Sequence, residues 1–137
     1  MTKEIRDVME LYAEYLDLDG RAGKARGVRG AANSVGQARF IPPDPCDIDG
    51  IGPSWREVVN EIRRRGTCSE LEQLKERYSY YEELQDVEGI GPSTAQRLAE
   101  VGGIETKEEL DKAIESGDIL EIPRIGPKTA EKFKESL

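Results

Sequence analysis

One turn is written three times in this chain. Asp47-Ile-Asp-Gly-Ile-Gly-Pro-Ser-Trp55, Asp86-Val-Glu-Gly-Ile-Gly-Pro-Ser-Thr-Ala95 and Glu121-Ile-Pro-Arg-Ile-Gly-Pro-Lys-Thr-Ala130 start 39 and 35 residues apart. A repeat of this kind constrains the whole fold before any other residue is read. Each copy brings an apolar approach into a Gly-rich bend, then places proline where a helix begins. Proline at the first helical position costs nothing, because its missing N–H has no partner there anyway. The chain therefore has three helix starts at known points.

In the middle copy Gly89 and Gly91 flank Ile90. Glycine admits positive φ or a close approach by another molecule. Ile90 plugs the bend into a core. The amides of Gly91, Ser93 and Thr94 point out of a helix N-terminus, which favours an anion. The alternative is a connection that binds nothing. Three copies in one short chain weigh against it, because a mere linker has no need of exposed amides. Gly50, Gly52 and Ser54 are the corresponding residues of the first copy, and Gly126 and Lys128 of the third. Arg124 replaces the first glycine of the third copy, so that turn is expected to be structural rather than a phosphate cradle.

With 137 residues, the chain makes one domain or two very small ones. No apolar run reaches the length of a membrane span, and no signal peptide is expected. Two cysteines, Cys46 and Cys68, are too few for a disulfide scaffold, and without histidine an ordinary zinc site is not expected. A cytoplasmic location is the default, on the nucleoid if DNA is bound. The net charge of -8 argues against a generic nucleic-acid binder. Its distribution argues the other way. Between Gly20 and Pro43 stand five cations (Arg21, Lys24, Arg26, Arg29, Arg39) and no acid, and Arg63, Arg64 and Arg65 form a second basic run. Lys24, Arg26 and Arg29 are thus a candidate backbone-binding patch on an acidic body. Asp44, Asp47 and Asp49 read as turn and helix-end chemistry rather than a metal cluster.

The remaining pattern is helical, with no strand expected. Apolar residues three or four apart predict a helix over 2–18 and another over 23–37, the latter weakened by four glycines. Prolines at 42, 43 and 45 break the chain before the first turn. Trp55, Val58, Val59 and Ile62 make the buried face of the next helix. Ser69-Glu-Leu-Glu72 and Thr106-Lys-Glu-Glu109 have capping-box spacing. Tyr78, Tyr80 and Tyr81 are read as a joint, giving units 1–80 and 81–137.

These motifs carry a resemblance. The apolar-x-Gly-Ile-Gly-Pro-x-x-Ala pattern resembles the helix-hairpin-helix motif. The order of parts, with Val101-Gly-Gly-Ile-Glu-Thr-Lys-Glu-Glu-Leu110 after the central turn, resembles the N-terminal region of family X DNA polymerases. The resemblance covers nearly the whole chain and implies an all-α fold: a small helical DNA-end-binding bundle, then a helix-hairpin-helix subdomain. It implies binding to gapped, nicked or 5′-phosphorylated DNA without sequence preference, in repair or replication; the acidic net charge separately suits docking of a replication or repair protein as partner. It also implies a Na+ or K+ ion on backbone carbonyls, those of Cys46, Ile48 and Ile51 in the first copy and Gln85, Val87 and Ile90 in the second. The catalytic palm of that family is absent here, so polymerase activity is not expected. Val58 stands where the family's abasic-site lyase has its nucleophilic lysine, and Ser54 where it has a second lysine. No catalytic residue is therefore assigned. Residual lyase activity and a protein-interaction scaffold are the competing readings.

Overall fold

The computed structural model describes residues 2–137. Among them the chain is all-helical, with α1 (Thr2–Leu18), α2 (Ala22–Gln37), α3 (Pro53–Arg65), α4 (Ser69–Arg77), α5 (Ser79–Leu84), α6 (Pro92–Gly102), α7 (Lys107–Ser116) and α8 (Pro127–Ser136). Two short 3-10 turns, Pro45–Asp47 and Asp118–Glu121, precede the first and third repeated bends. The chain divides into two compact units between Glu76 and Arg77, a few residues before the joint expected from the tyrosines. The shift has a cause in α5, which buries Tyr81 and Leu84 within the second unit. Tyr78 and Tyr80 meet edge to face there, with ring centroids 6.2 Å apart.

In the first unit α1 and α2 pack as neighbours across a three-residue connection. Ile5, Met9, Tyr12, Ala13 and Leu16 lie along one side of α1, and Ala25, Val28, Ala31, Ala32 and Val35 along α2; all are buried. The small side chains of α2 let the two backbones come close. Each glycine within α2 costs about 1 kcal/mol relative to alanine. Packing accounts for two of them. A Cβ on Gly27 would lie 2.9 Å from the Trp55 ring, and one on Gly36 2.6 Å from Arg6. Gly23 and Gly30 face open space. Trp55, expected in the core, is half-buried instead, its ring laid on Gly27.

The proline segment before α3 is held from α3 itself. The Arg63 guanidinium donates to the carbonyls of Pro42 at 2.8 Å and Pro43 at 3.1 Å. α3 ends on Gly66 in the left-handed region. The capping box expected at Ser69–Glu72 does not form. Glu61 of α3 accepts from the Ser69 amide at 3.1 Å and hydroxyl at 2.7 Å, while Glu72 pairs with Arg65 at 2.7 Å. The cap moves back one residue: the Cys68 thiol takes the Leu71 amide, and its carbonyl takes Glu72 N. An acid from a neighbouring helix has outcompeted the local one. Both cysteines are free thiols.

In the second unit the expected cap on α7 does form, Thr106 accepting from the Glu109 amide at 3.1 Å. α8 closes this unit. Phe133 is fully buried beneath the middle turn, where a Cβ on Gly89 would stand 3.2 Å from its ring. Ser136 Oγ accepts from the Glu88 amide at 3.0 Å. Lys134 ties α8 to Asp111 and Glu115 of α7 at 2.7 and 3.2 Å. The middle turn therefore rests on the last helix of the chain.

Candidate nucleic-acid interface

The three bends share one geometry. Each closes with an amide-to-carbonyl bond across four residues: Ile51 N to Ile48 O at 3.1 Å, Ile90 N to Val87 O at 3.1 Å, and Ile125 N to Ile122 O at 3.2 Å. The third residue of each takes positive φ, 93° at Gly50, 93° at Gly89 and 68° at Arg124. Arg124 is the one non-glycine residue with positive φ among those described. The arginine in place of the first glycine leaves the backbone of the third bend unchanged. The bend forms, and arginine carries a strain of roughly 1–2 kcal/mol that glycine avoids. The isoleucines Ile51, Ile90 and Ile125 are all buried, as their plug role requires.

The second glycine of each bend behaves differently. Gly52, Gly91 and Gly126 are the helix N-caps, with φ of -88°, -102° and -100° in the extended region. Any residue can adopt that backbone. A Cβ at any of the three would meet nothing within 4 Å. Neither conformation nor internal packing therefore requires glycine at these positions.

What stands open there is a set of amides. In the middle bend the amides of Gly91, Ser93 and Thr94 make no hydrogen bond with the described residues; the first helical bond runs from Ala95 N to Gly91 O at 2.9 Å. In the third the amides of Gly126 and Lys128 are likewise open, with Ala130 N bonded to Gly126 O at 3.0 Å. The first bend is tighter. Trp55 N turns back on Gly52 O at 3.0 Å, leaving the amides of Gly52 and Ser54. Ser54, Ser93 and Lys128 are exposed, Thr94 half-buried.

The carbonyls of Cys46, Ile48, Ile51, Gln85, Val87 and Ile90 belong to these same two bends. All are hard oxygen donors. Those of Ile48 and Val87 accept one turn amide each and keep a second lone pair. The aspartates nearby do other work. Asp44 accepts from the Cys46 amide at 3.0 Å and from Arg56 at 3.1 Å, and these bonds, the amide first, hold its carboxyl below the usual range. Val58 is half-buried on α3 and offers no amine.

The structure sorts the basic residues in a way the linear order does not. The stretch from Gly20 to Pro43 has no acid of its own, yet acids from other helices reach it. Arg29 pairs with Asp17 of α1 at 2.5 Å. Lys24 and Arg21 both reach Glu70 of α4, at 2.9 and 3.3 Å. Arg26 and Arg39 are exposed and make no ion pair with the described residues. In the second basic run Arg63 clamps the proline segment and Arg65 pairs with Glu61 and Glu72, leaving Arg64 open.

Glu70 is the residue the linear reading missed. Its Oε1 accepts from Tyr12 Oη at 2.5 Å as well as from Lys24 and Arg21. Burial alone would raise its pKa. The bonds from Tyr12 and Lys24 and the charges of Lys24 and Arg21 outweigh burial and set the carboxyl below its ordinary value. Burial first, then the bond to Glu70, raises the Tyr12 phenol well above its usual range. The Lys24 ammonium also lies 6.0 Å from the Tyr12 ring centroid. A lone glutamate between two helices gives no local sign of such a role. Phe40, 71% exposed on the clamped proline segment, was likewise not singled out by periodicity.

Comparison with known proteins agrees with this geometry. Residues 81–137 match the family model described as a SAM-like helix-hairpin-helix tandem, so the second unit is a helix-hairpin-helix domain. A DNA ligase of Salinibacter ruber (strain DSM 13855 / M31) is 27% identical to this chain over 103 residues, covering 71% of the chain and 14% of the ligase. The chain thus spans a small part of that relative's length. No described helix is long and apolar enough to cross a membrane.

Proposed function

We propose that this chain binds the DNA backbone without reading sequence, each unit presenting a Gly-Ile-Gly bend to a sugar–phosphate strand. One observation carries this reading. Glycine stands at Gly52, Gly91 and Gly126 where nothing inside the protein asks for it, with open amides beside each. A side chain there would obstruct only an incoming molecule. Amides converging at a helix N-terminus suit a phosphate. The helix-hairpin-helix match and the likeness to a DNA ligase support the same partner.

The finer reading is a preference for gapped, nicked or 5′-phosphorylated duplex, in repair or replication on the nucleoid. Two bends on separate units can engage duplex on either side of a break. It draws on the resemblance to the N-terminal region of family X polymerases. A Na+ or K+ ion on the six carbonyls named above would help an acidic protein approach a polyanion; its ligands here would be main-chain oxygens alone. Phosphate contacts position a protein and give little base preference. Titration of intact, nicked and one-nucleotide-gapped duplex, in sodium and in potassium, tests the reading. Binding should rank gapped and nicked above intact and fall steeply with salt. Failure on all three at low salt removes it and favours the protein-interaction scaffold. For lyase chemistry, Val58 has no amine and the Lys24 amine is engaged by Glu70. Borohydride trapping on abasic DNA should give no covalent adduct.

A further inference from the structure

The segment that leaves α2 is held on both sides of Phe40. Before it, the Ala38 amide closes the helix on Val35 O at 3.1 Å. After it, the Arg63 guanidinium donates to the carbonyls of Ile41, Pro42 and Pro43 at 3.5, 2.8 and 3.1 Å. Two prolines fix φ within the clamped stretch. Between these anchors the Phe40 ring is 71% exposed. Among the described residues, no other large hydrophobic side chain of the first unit is exposed.

That isolation bears on what the ring can meet. A protein interface surrounds its aromatic anchors with further contacts that exclude water, and a single ring offers none. A nucleobase, by contrast, is matched by one ring face. The charge beside the ring suits a nucleic acid as well. Arg39 is exposed and makes no ion pair among the described residues. No acid stands between Arg39 and Pro43. The next acid, Asp44, is already engaged by the Cys46 amide at 3.0 Å and by Arg56 at 3.1 Å.

We propose that Phe40 is a stacking platform for an unpaired base of single-stranded DNA, with Arg39 taking the phosphate beside that base. Every base has a π face, so the contact is indifferent to sequence. A paired base within intact duplex has both faces covered by its neighbours and cannot use the ring. The platform therefore favours DNA with a gap or a single-stranded tail, through a base rather than through an end phosphate. Because the backbone is already held, little freedom is lost when the base arrives. The inference rests on the backbone-binding reading only for the choice of DNA as the nucleic acid.

The test uses the full chain and two probes, a short oligothymidylate and an intact duplex, each followed by fluorescence anisotropy. Phe40→Leu keeps an apolar side chain and removes the π face. It should weaken oligothymidylate binding about tenfold, as expected for one lost stacking contact. Duplex binding and melting temperature should not change, because the ring is mostly in solvent. Phe40→Trp should restore the lost affinity. Arg39→Gln should lower the log–log salt slope for oligothymidylate by about 0.7, the share of one phosphate on a single strand. An oligothymidylate carrying 5-iododeoxyuridine should cross-link to Phe40 on irradiation, with the site read by mass spectrometry. Equal oligothymidylate affinity in wild type and Phe40→Leu overturns the inference, even where duplex binding is intact. Equal losses on both probes also overturn it, since Phe40 would then support the fold of the segment. Phe40-dependent binding of oligothymidylate without any duplex binding keeps the platform and removes the backbone-binding reading.

Discussion

The two units present the same bend but differ in what stands beside it. In the first, Lys24, Arg21, Arg29, Arg56 and Arg65 are each tied to a carboxylate from another part of the unit. Its bend keeps two open amides, because Trp55 N folds back on Gly52 O. In the second, the middle bend keeps three, and Arg124 and Lys128 beside the last bend are exposed and without ion pairs among the described residues. A near-identical local sequence therefore yields two sites of unequal capacity. The neighbours differ too: the Trp55 ring lies on Gly27 of α2, whereas the Thr94 hydroxyl accepts from Arg97.

The largest expected effect sharpens that inequality. Gly91→Val should weaken DNA binding by about 150-fold, taking two charge-assisted hydrogen bonds at about 1.5 kcal/mol each as lost. Its melting temperature should hardly change, because the new Cβ meets nothing and φ is already extended. Gly52→Val should cost less binding, in keeping with fewer amides. Equal losses measured by anisotropy would break the comparison.

Next come the glycines whose backbone is constrained. Gly50→Ala puts a Cβ 2.3 Å from Ser34 Oγ at φ 93°, and Gly89→Ala puts one 3.2 Å from Phe133 at the same φ. Each should lose about 1–3 kcal/mol of stability in urea unfolding, with Gly50→Ala the worse. The reverse change, Arg124→Gly, should gain about 1 kcal/mol by relieving the left-handed arginine, less the entropy glycine adds to the unfolded chain. If Arg124→Gly also lowers DNA affinity, the third bend contributes a guanidinium to the interface.

Acid should act through three carboxylates of the first unit. Asp44, Glu61 and Glu70 have folded pKa values below their ordinary ones, held chiefly by the Cys46 amide, the Ser69 hydroxyl and, against burial, the Tyr12 and Lys24 bonds. Their stabilisation is complete above the unfolded carboxylate range, about pH 4, and is lost as pH falls through the folded values. Emission from Trp55, the one tryptophan of the chain and a residue of this unit, should follow the loss. A Glu61→Gln, Glu70→Gln double variant should flatten the profile. The smallest effect belongs to single open cations: Arg26→Gln should reduce the salt slope of DNA binding by about one, whereas Arg63→Gln should loosen the proline segment instead.

Much of the fold was legible in the linear pattern, because helix periodicity, proline at helix starts and glycine at helix ends act within a few residues. The span of α1, the cap at Thr106 and the three bends with their buried isoleucines all follow from neighbours in sequence. The short α5 and the position of the boundary were less clear, since Tyr80 and Tyr81 could serve a joint or a helix equally. The charges were not legible at all beyond their order. Ion pairing is decided by atoms a few ångströms apart in space: Glu70 reaches Lys24 from 46 residues away, Asp17 and Asp44 reach their arginines from 12, and Glu61 reaches Arg65 from only 4. The sequence alone determined where the backbone bends and which amides begin each helix. Only tertiary packing decided which of the basic residues remain open to a phosphate, because a cation's availability depends on what folding brings beside it.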